Sequence, residues 1–179
     1  MQQTPFNLDD AVAVLERTPA TLGAMLEGLP ENWTRVTEGD GTWSPYDVIG
    51  HLVHCERRNW MPRVRHILSG DRRPFEPLDR RAQFSEDQDS SLGILLAAFA
   101  QLRRTNMEAL VSMNLTPEDL ARTGHHPDFG PVTLEQLMAT WVVHDLDHVV
   151  QVARTMAKAY AGVTGPWSAY LSVLRDRKG

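Results

Sequence analysis

Residues 141–152 have the sequence WVVHDLDHVVQV, which we interpret as the middle of a long amphipathic helix around which the fold is organised. His144 and His148 are four residues apart in this stretch, so both imidazoles lie on one face of the helix, one turn apart. Two imidazoles placed in this way can bind the same metal ion. A metal site needs further ligands, so we expect a second element to supply at least one more side chain.

The second element is predicted from residues 44–57, SPYDVIGHLVHCER. Ser44 is a suitable N-cap and Pro45 suits the first helical position, so a helix should begin here. We expect it to run to Ser69 and to end at Gly70, with a bend at Pro62.

Three candidate ligands lie in this second helix. On a helical wheel of about 100° per residue, His51 falls beside the apolar stripe and His54 on the opposite side. His51 is therefore the preferred third ligand, and His54 remains its competitor. Cys55 follows His51 by one turn and is either a thiolate ligand or a buried free cysteine that packs as a small apolar group.

The remaining pattern predicts a single all-α domain over residues 1–179, with four long helices and no strand. The long connection at residues 71–89 indicates a crossover between the second and third helices. We expect helices over residues 7–28 (kinked or split at Pro19), 44–69, 90–113 and 133–161, a loop at 125–131, and a short terminal helix that packs Trp167, Tyr170 and Leu174 onto the body.

Composition narrows the class of protein. Of the 179 residues 42% are hydrophobic, which favours a folded domain, and the net charge of −5 argues against nucleic acid or an anionic membrane as a partner. The single cysteine allows no internal disulfide. The first residues contain no basic segment followed by an apolar one, and no apolar run is long enough to span a bilayer. We therefore expect a cytoplasmic location.

Ionisable side chains occupy apolar faces of both helices. Asp145 and His148 fall inside the stripe of the fourth helix, and Glu56 inside that of the second. Burial of such groups without partners costs several kcal/mol, and a metal would remove that cost for the histidines. A carboxylate would then accept the free ring N–H of a ligand histidine, although Asp145 and Glu56 would equally well pair with arginines. Gln151 lies beside the histidines and would hydrogen-bond a metal-bound water or lie at a solvated helix edge. Three histidines leave a coordination position open, which is typical of catalytic sites.

The chain resembles the DinB-like (YfiT-type) superfamily of bacterial metal-binding four-helix bundles. The resemblance rests on Trp43-Ser44, GHLVHCER at 50–57, HDLDHVVQ at 144–151 and Gly165-Pro166-Trp167. It implies an up-down-down-up bundle, a metal triad of His51, His144 and His148, and a homodimer. It also implies zinc or nickel as the metal, and for some members a low-molecular-weight thiol such as bacillithiol or mycothiol as cosubstrate.

The leading functional hypothesis is a metal-dependent enzyme that acts on a small molecule, either a thiol-dependent S-transferase or isomerase, or a hydrolase. The alternatives are a non-catalytic metal- or ligand-binding stress-response protein, and a structural dimer without metal. His125 and His126 would reach the mouth of the site or be plain loop residues. The arginines of residues 72–81 would be solvated or would clamp an acidic ligand.

Overall fold

The predicted helical segments pack as a four-helix bundle in the computed structural model, which describes residues 4–79, 81–83 and 90–175. The α-helices are α1 (Leu8–Leu15), α2 (Thr18–Leu26), α3 (Glu31–Thr34), α4 (Pro45–Arg58), α5 (Trp60–Ser69), α6 (Leu92–Ser112), α7 (Pro117–Leu120) and α8 (Leu134–Lys158). Strands β1 (Thr123–His126) and β2 (Gly130–Thr133) precede α8, and 3₁₀ turns at Ala161–Val163, Gly165–Tyr170 and Ser172–Leu174 follow it. The bundle is formed by α1–α2, α4–α5, α6 and α8, and α4 contacts both α6 and α8.

The first helical segment is split, as Pro19 predicted. α1 ends at Leu15 and α2 begins at Thr18. Pro19 thus lies in the first turn of α2, where a backbone N–H has no partner within the helix.

The second segment begins as predicted but breaks earlier than expected. The Ser44 side chain accepts from the Asp47 N–H, and the Asp47 carboxylate accepts from the Ser44 N–H, so a capping box fixes the start of α4. The break lies at Asn59, between α4 and α5, so the bend expected from Pro62 occurs in the turn before this proline and not at the proline itself. Pro62 instead lies in the first turn of α5, which tolerates proline.

The prediction of a strand-free loop at residues 125–131 is also wrong, because β1 and β2 form an antiparallel hairpin. Phe75 anchors this hairpin through a 2.9 Å bond from its N–H to the His125 carbonyl. A Cβ at Gly124 would lie only 2.5 Å from the Phe75 ring, so this close approach requires glycine. Strands of four residues are too short for a clear period-two pattern in the sequence.

The C-terminal segment differs from the expected packed helix. It forms short 3₁₀ turns in which Trp167 is 71% exposed and Tyr170 is 86% exposed, so neither aromatic packs onto the body. Leu174 alone of the three expected anchors is half-buried. The crossover at residues 71–89 is described only in part, and residues 80 and 84–89 lie outside the described residues.

The core consists of two apolar clusters at successive levels of the bundle. The first is built around Trp60, Met61 and Trp141, and the second around Leu52, Phe99 and Val152. None of the described helices is both long and apolar enough to cross a membrane.

Candidate metal centre

The two predicted histidine stretches face each other inside the bundle. α4 supplies His51 and Cys55, and α8 supplies His144 and His148. The Nε2 atom of His144 lies 3.2 Å from Nε2 of His51 and 3.2 Å from Nε2 of His148. Each of the other two predicted ligands thus lies 3.2 Å from His144, and the three-histidine ligand set itself stays a prediction.

This spacing fits a metal ion better than it fits hydrogen bonds. Ligand nitrogens at about 2.0–2.1 Å from a tetrahedral ion are about 3.3 Å apart. A ring nitrogen carries either one hydrogen or one lone pair in the ring plane, so Nε2 of His144 cannot hydrogen-bond to both neighbours at once. The donor set and its spacing are suitable for a divalent transition metal.

Cys55 belongs to the same cluster. Its Sγ lies 3.4 Å from Nε2 of His51, and ligand atoms of His51, Cys55 and His144 all lie within 4.8 Å of one another. The side chain is 1% exposed. Cys55 is therefore the third member of this close set, whereas His148 lies outside the set and adjoins it at Nε2 of His144.

Aromatic rings hold the histidines in place. Trp43 lies against His51 with ring centres 4.8 Å apart and is stacked near His148 at 6.4 Å. Trp60 meets His144 edge to face at 5.1 Å and stacks on Trp141 at 5.3 Å. These contacts restrict ring rotation and pre-organise the nitrogens toward one point.

Gln151 contacts His148 and orients its imidazole ring. Nδ1 of His148 donates to Oε1 of Gln151 at 2.8 Å. The bond keeps the hydrogen on Nδ1 and leaves the lone pair of Nε2 directed at His144.

Asp145 and Glu56 contact an arginine and not a ligand histidine, which is the second of the two roles predicted for them. Arg103 donates to Asp145 at 2.6 Å, to Glu56 at 2.7 Å and to the Leu15 carbonyl at 2.6 Å. Burial raises the pKa of Glu56 although Arg103 and Asn106 act against it, and the two carboxylates outweigh burial to raise the pKa of Arg103. This buried triad joins α4, α6 and α8 next to the histidines.

The histidines open onto a cavity of about 610 Å³. Its walls come from α4, α5, the hairpin and α8, and from the chain around Phe75. His126 lies on this wall, stacked 4.5 Å from Phe129, whereas His125 is not among the lining residues. The described residues that line the cavity are Trp43, His51, Cys55, Asn59, Trp60, Arg63, Phe75, Pro77, Leu78, His126, Pro127, Asp128, Phe129, Val132, Gln136, Leu137, Thr140, His144 and His148.

His54 and Arg63 differ most from the sequence-based interpretation. His54 was placed on the outer side of the helix, yet it is 3% exposed, because α4 is covered on more than one face. Arg63 was not predicted, and the arginines of the 72–81 region were considered instead. Arg63 follows His51, Cys55 and Asn59 at four-residue spacing, and residues at this spacing share a helical face. This spacing in the sequence could have indicated that Arg63 faces the same side as His51.

Comparison with known proteins agrees with this description. The DinB superfamily model matches residues 14–152. A Bacillus subtilis (strain 168) protein named "Putative metal-dependent hydrolase YfiT" is 25% identical over 146 residues, which cover 80% of this chain and 81% of the relative. The solved structure of B. subtilis YfiT, described as a probable metal-dependent hydrolase with an unusual four-helix bundle topology, matches with a TM-score of 0.74 at 23% identity. That match covers 88% of this chain and 90% of the solved chain, and it establishes the fold. With more than half of its length matched by the family model, this chain belongs to the DinB superfamily.

Proposed function

We propose that this protein is a metal-dependent hydrolase whose divalent transition metal, zinc or nickel, is held by His51, His144 and His148. The observation that carries the proposal is the pair of 3.2 Å separations that meet at Nε2 of His144. The name of the B. subtilis relative, a putative metal-dependent hydrolase, supports the same reaction class.

The chain's own residues would prepare this site for catalysis. Gln151 fixes the tautomer of His148, and Trp43 and Trp60 hold the rings of all three histidines. A divalent metal held there would supply Lewis acidity, which polarises an electrophile and lowers the pKa of a coordinated nucleophile. The aromatic rings of Trp43, Trp60 and Phe75 form part of the cavity wall.

A thiol-dependent S-transferase or isomerase is the second candidate. The observation in its favour is the cavity of about 610 Å³ beside the histidines, which is far larger than an attacking water requires. A low-molecular-weight thiol would fit there as the nucleophile in place of water.

Turnover assays separate these candidates. Protein stripped of metal and then reconstituted with zinc or nickel is assayed with 4-nitrophenyl esters, and with thiols plus 1-chloro-2,4-dinitrobenzene. We expect metal-dependent turnover that falls at least ~100-fold in His148→Ala and is retained in His125→Ala, a matched change outside the cavity. Metal binding without metal-dependent turnover in either assay would favour a non-catalytic metal- or ligand-binding protein.

We further propose a homodimer in the cytoplasm. Exposed apolar side chains on α8, namely Val143, Leu146 and Val150, support a subunit contact. Light scattering on the purified protein should give twice the chain mass of 20.2 kDa, and a mass of one chain would contradict the dimer.

A further inference from the structure

A row of four side chains runs from the histidine cluster along the cavity wall. His51, Cys55, Asn59 and Arg63 follow one another at four-residue spacing, and all four line the cavity. The row continues across the break between α4 and α5, because the Asn59 N–H bonds to the Cys55 carbonyl and the Arg63 N–H to the Asn59 carbonyl. The row therefore has a histidine of the candidate metal centre at one end and a guanidinium at the other.

Arg63 has no carboxylate partner among the residues that the structure describes. It is half-buried, and its guanidinium lies 5.1 Å from the centre of the Phe75 ring. Burial lowers the pKa of Arg63, and nearby Cys55 acts against this shift. A partly desolvated cation of this kind is best satisfied by an anionic ligand.

Two further polar atoms belong to residues that line the same cavity as Arg63. Oδ1 of Asn59 and Nε1 of Trp60 are buried and have no hydrogen-bond partner among the described residues, and both residues line the cavity. Polar atoms buried in proteins normally have partners, so an acceptor and a donor here would serve a polar group of a bound molecule.

The cavity favours a carboxylate over a phosphate dianion. Arg63 supplies a single fixed positive charge, and Asp128 places a negative charge on the same cavity wall. The planar fork of a guanidinium matches both oxygens of a carboxylate, whereas a dianion would need further cationic groups.

We propose that the substrate of this site carries a carboxylate that binds Arg63, with Asn59 and Trp60 contacting a polar group between that carboxylate and the histidines. The helix rise and the direction of the arginine side chain put the carboxylate on the order of 10 Å from the reacting group. The assignment of this cavity as a substrate site rests on the proposed function.

The test uses metal-free protein and a matched pair of probes, phenylacetate and its neutral isostere phenylacetamide. Binding is followed by the indole N–H signal of Trp60 in ¹H–¹⁵N spectra, assigned with Trp60→Phe. We expect phenylacetate to bind at least ~10-fold more tightly than phenylacetamide to the wild type. Arg63→Gln should remove that preference. Arg65→Gln, which makes the same change at an exposed position of α5, should retain it.

Several outcomes would overturn the proposal. The proposal is refuted if the wild type binds both probes equally or binds neither. It is also refuted if folded Arg63→Gln protein still prefers phenylacetate to phenylacetamide. Tighter binding of phenyl phosphate than of phenylacetate would assign a phosphate to Arg63 instead.

The probes are tested without metal, so this result is independent of the metal-dependent reaction. Carboxylate binding in a protein that never takes up metal would refute the proposed function alone. Metal-dependent turnover without carboxylate preference would refute this inference alone.

Discussion

Nε2 of His144 is the atom on which the candidate centre depends. It lies 3.2 Å from a nitrogen of α4 and 3.2 Å from a nitrogen of its own helix, so it is the shared point of the three-histidine arrangement. The i, i+4 pair was predictable because helical spacing puts both histidines on one face, and His51 was preferred to His54 because it falls beside the apolar stripe. The adjacency of Cys55 Sγ to His51 was not predictable, since it depends on the rotamers of both side chains.

Gln151→Ala tests how His148 is oriented. Loss of the 2.8 Å bond to Nδ1 frees the ring to rotate and to change tautomer, so metal affinity should fall by roughly 10- to 100-fold. Competition with a chromophoric chelator measures the effect. Gln101→Ala, at an exposed position of α6, is the matched control. Equal affinities of Gln151→Ala and wild type would show that Gln151 does not orient the ligand.

The helices are held in register by the buried Arg103 triad as well as by apolar packing. Arg103 lies 5.0 Å from the Phe99 ring centre and 5.3 Å from that of Trp141, and these rings belong to different core clusters. Sequence periodicity placed Glu56 and Asp145 inside the bundle. It gave no indication that their common partner would come from α6, because partner choice depends on how the helices are packed.

Arg103→Met should destabilise the protein by roughly 3–5 kcal/mol, because it leaves two buried carboxylates without a counter-charge. Urea unfolding followed by circular dichroism measures the free energy of unfolding. Arg104→Met, its exposed neighbour, should change that free energy by less than ~0.5 kcal/mol. A loss of stability no larger in Arg103→Met than in Arg104→Met would mean that the triad contributes nothing to the fold.

At the scale of the whole molecule, three features were predictable from the sequence: the long helices, the cap at Ser44 and the bundle class. These features are set by local periodicity and capping chemistry. The hairpin and the exposed C-terminal turns did not follow, because both depend on contacts between distant segments. Phe75 pairing with His125 is one such contact, and another is Arg154, which bonds to the Arg175 carbonyl at 2.5 Å.

Glu38 connects the loop before α4 to the end of α8. Its carboxylate accepts from Arg154 at 2.9 Å and pairs with Lys158 at 3.1 Å. Partial burial raises the pKa of Glu38, but the bonds from Lys158 and Arg154 outweigh it and hold that pKa below its ordinary value. A lowered carboxyl pKa stabilises the folded state above the ordinary pKa, and this contribution disappears as pH falls through the folded-state value.

Glu38→Gln should therefore reduce the free energy of unfolding by roughly 1 kcal/mol at neutral pH. The difference from wild type should shrink as pH falls below the ordinary carboxyl pKa and disappear once pH is below the lowered folded-state pKa of Glu38. Urea titrations across this range measure it, with the exposed Glu108→Gln as control. A difference that stays constant from neutral to acidic pH would contradict the assigned ion pair.

Elemental analysis of the untagged protein tests the central claim most directly. We predict about one equivalent of transition metal per chain in the wild type and in Cys55→Ala, and its loss in His51→Ala, His144→Ala and His148→Ala. Wild-type protein that takes up neither zinc nor nickel on reconstitution would contradict the metal centre itself. Metal lost in Cys55→Ala but kept in His148→Ala would instead make the cysteine the third ligand and refute the three-histidine site.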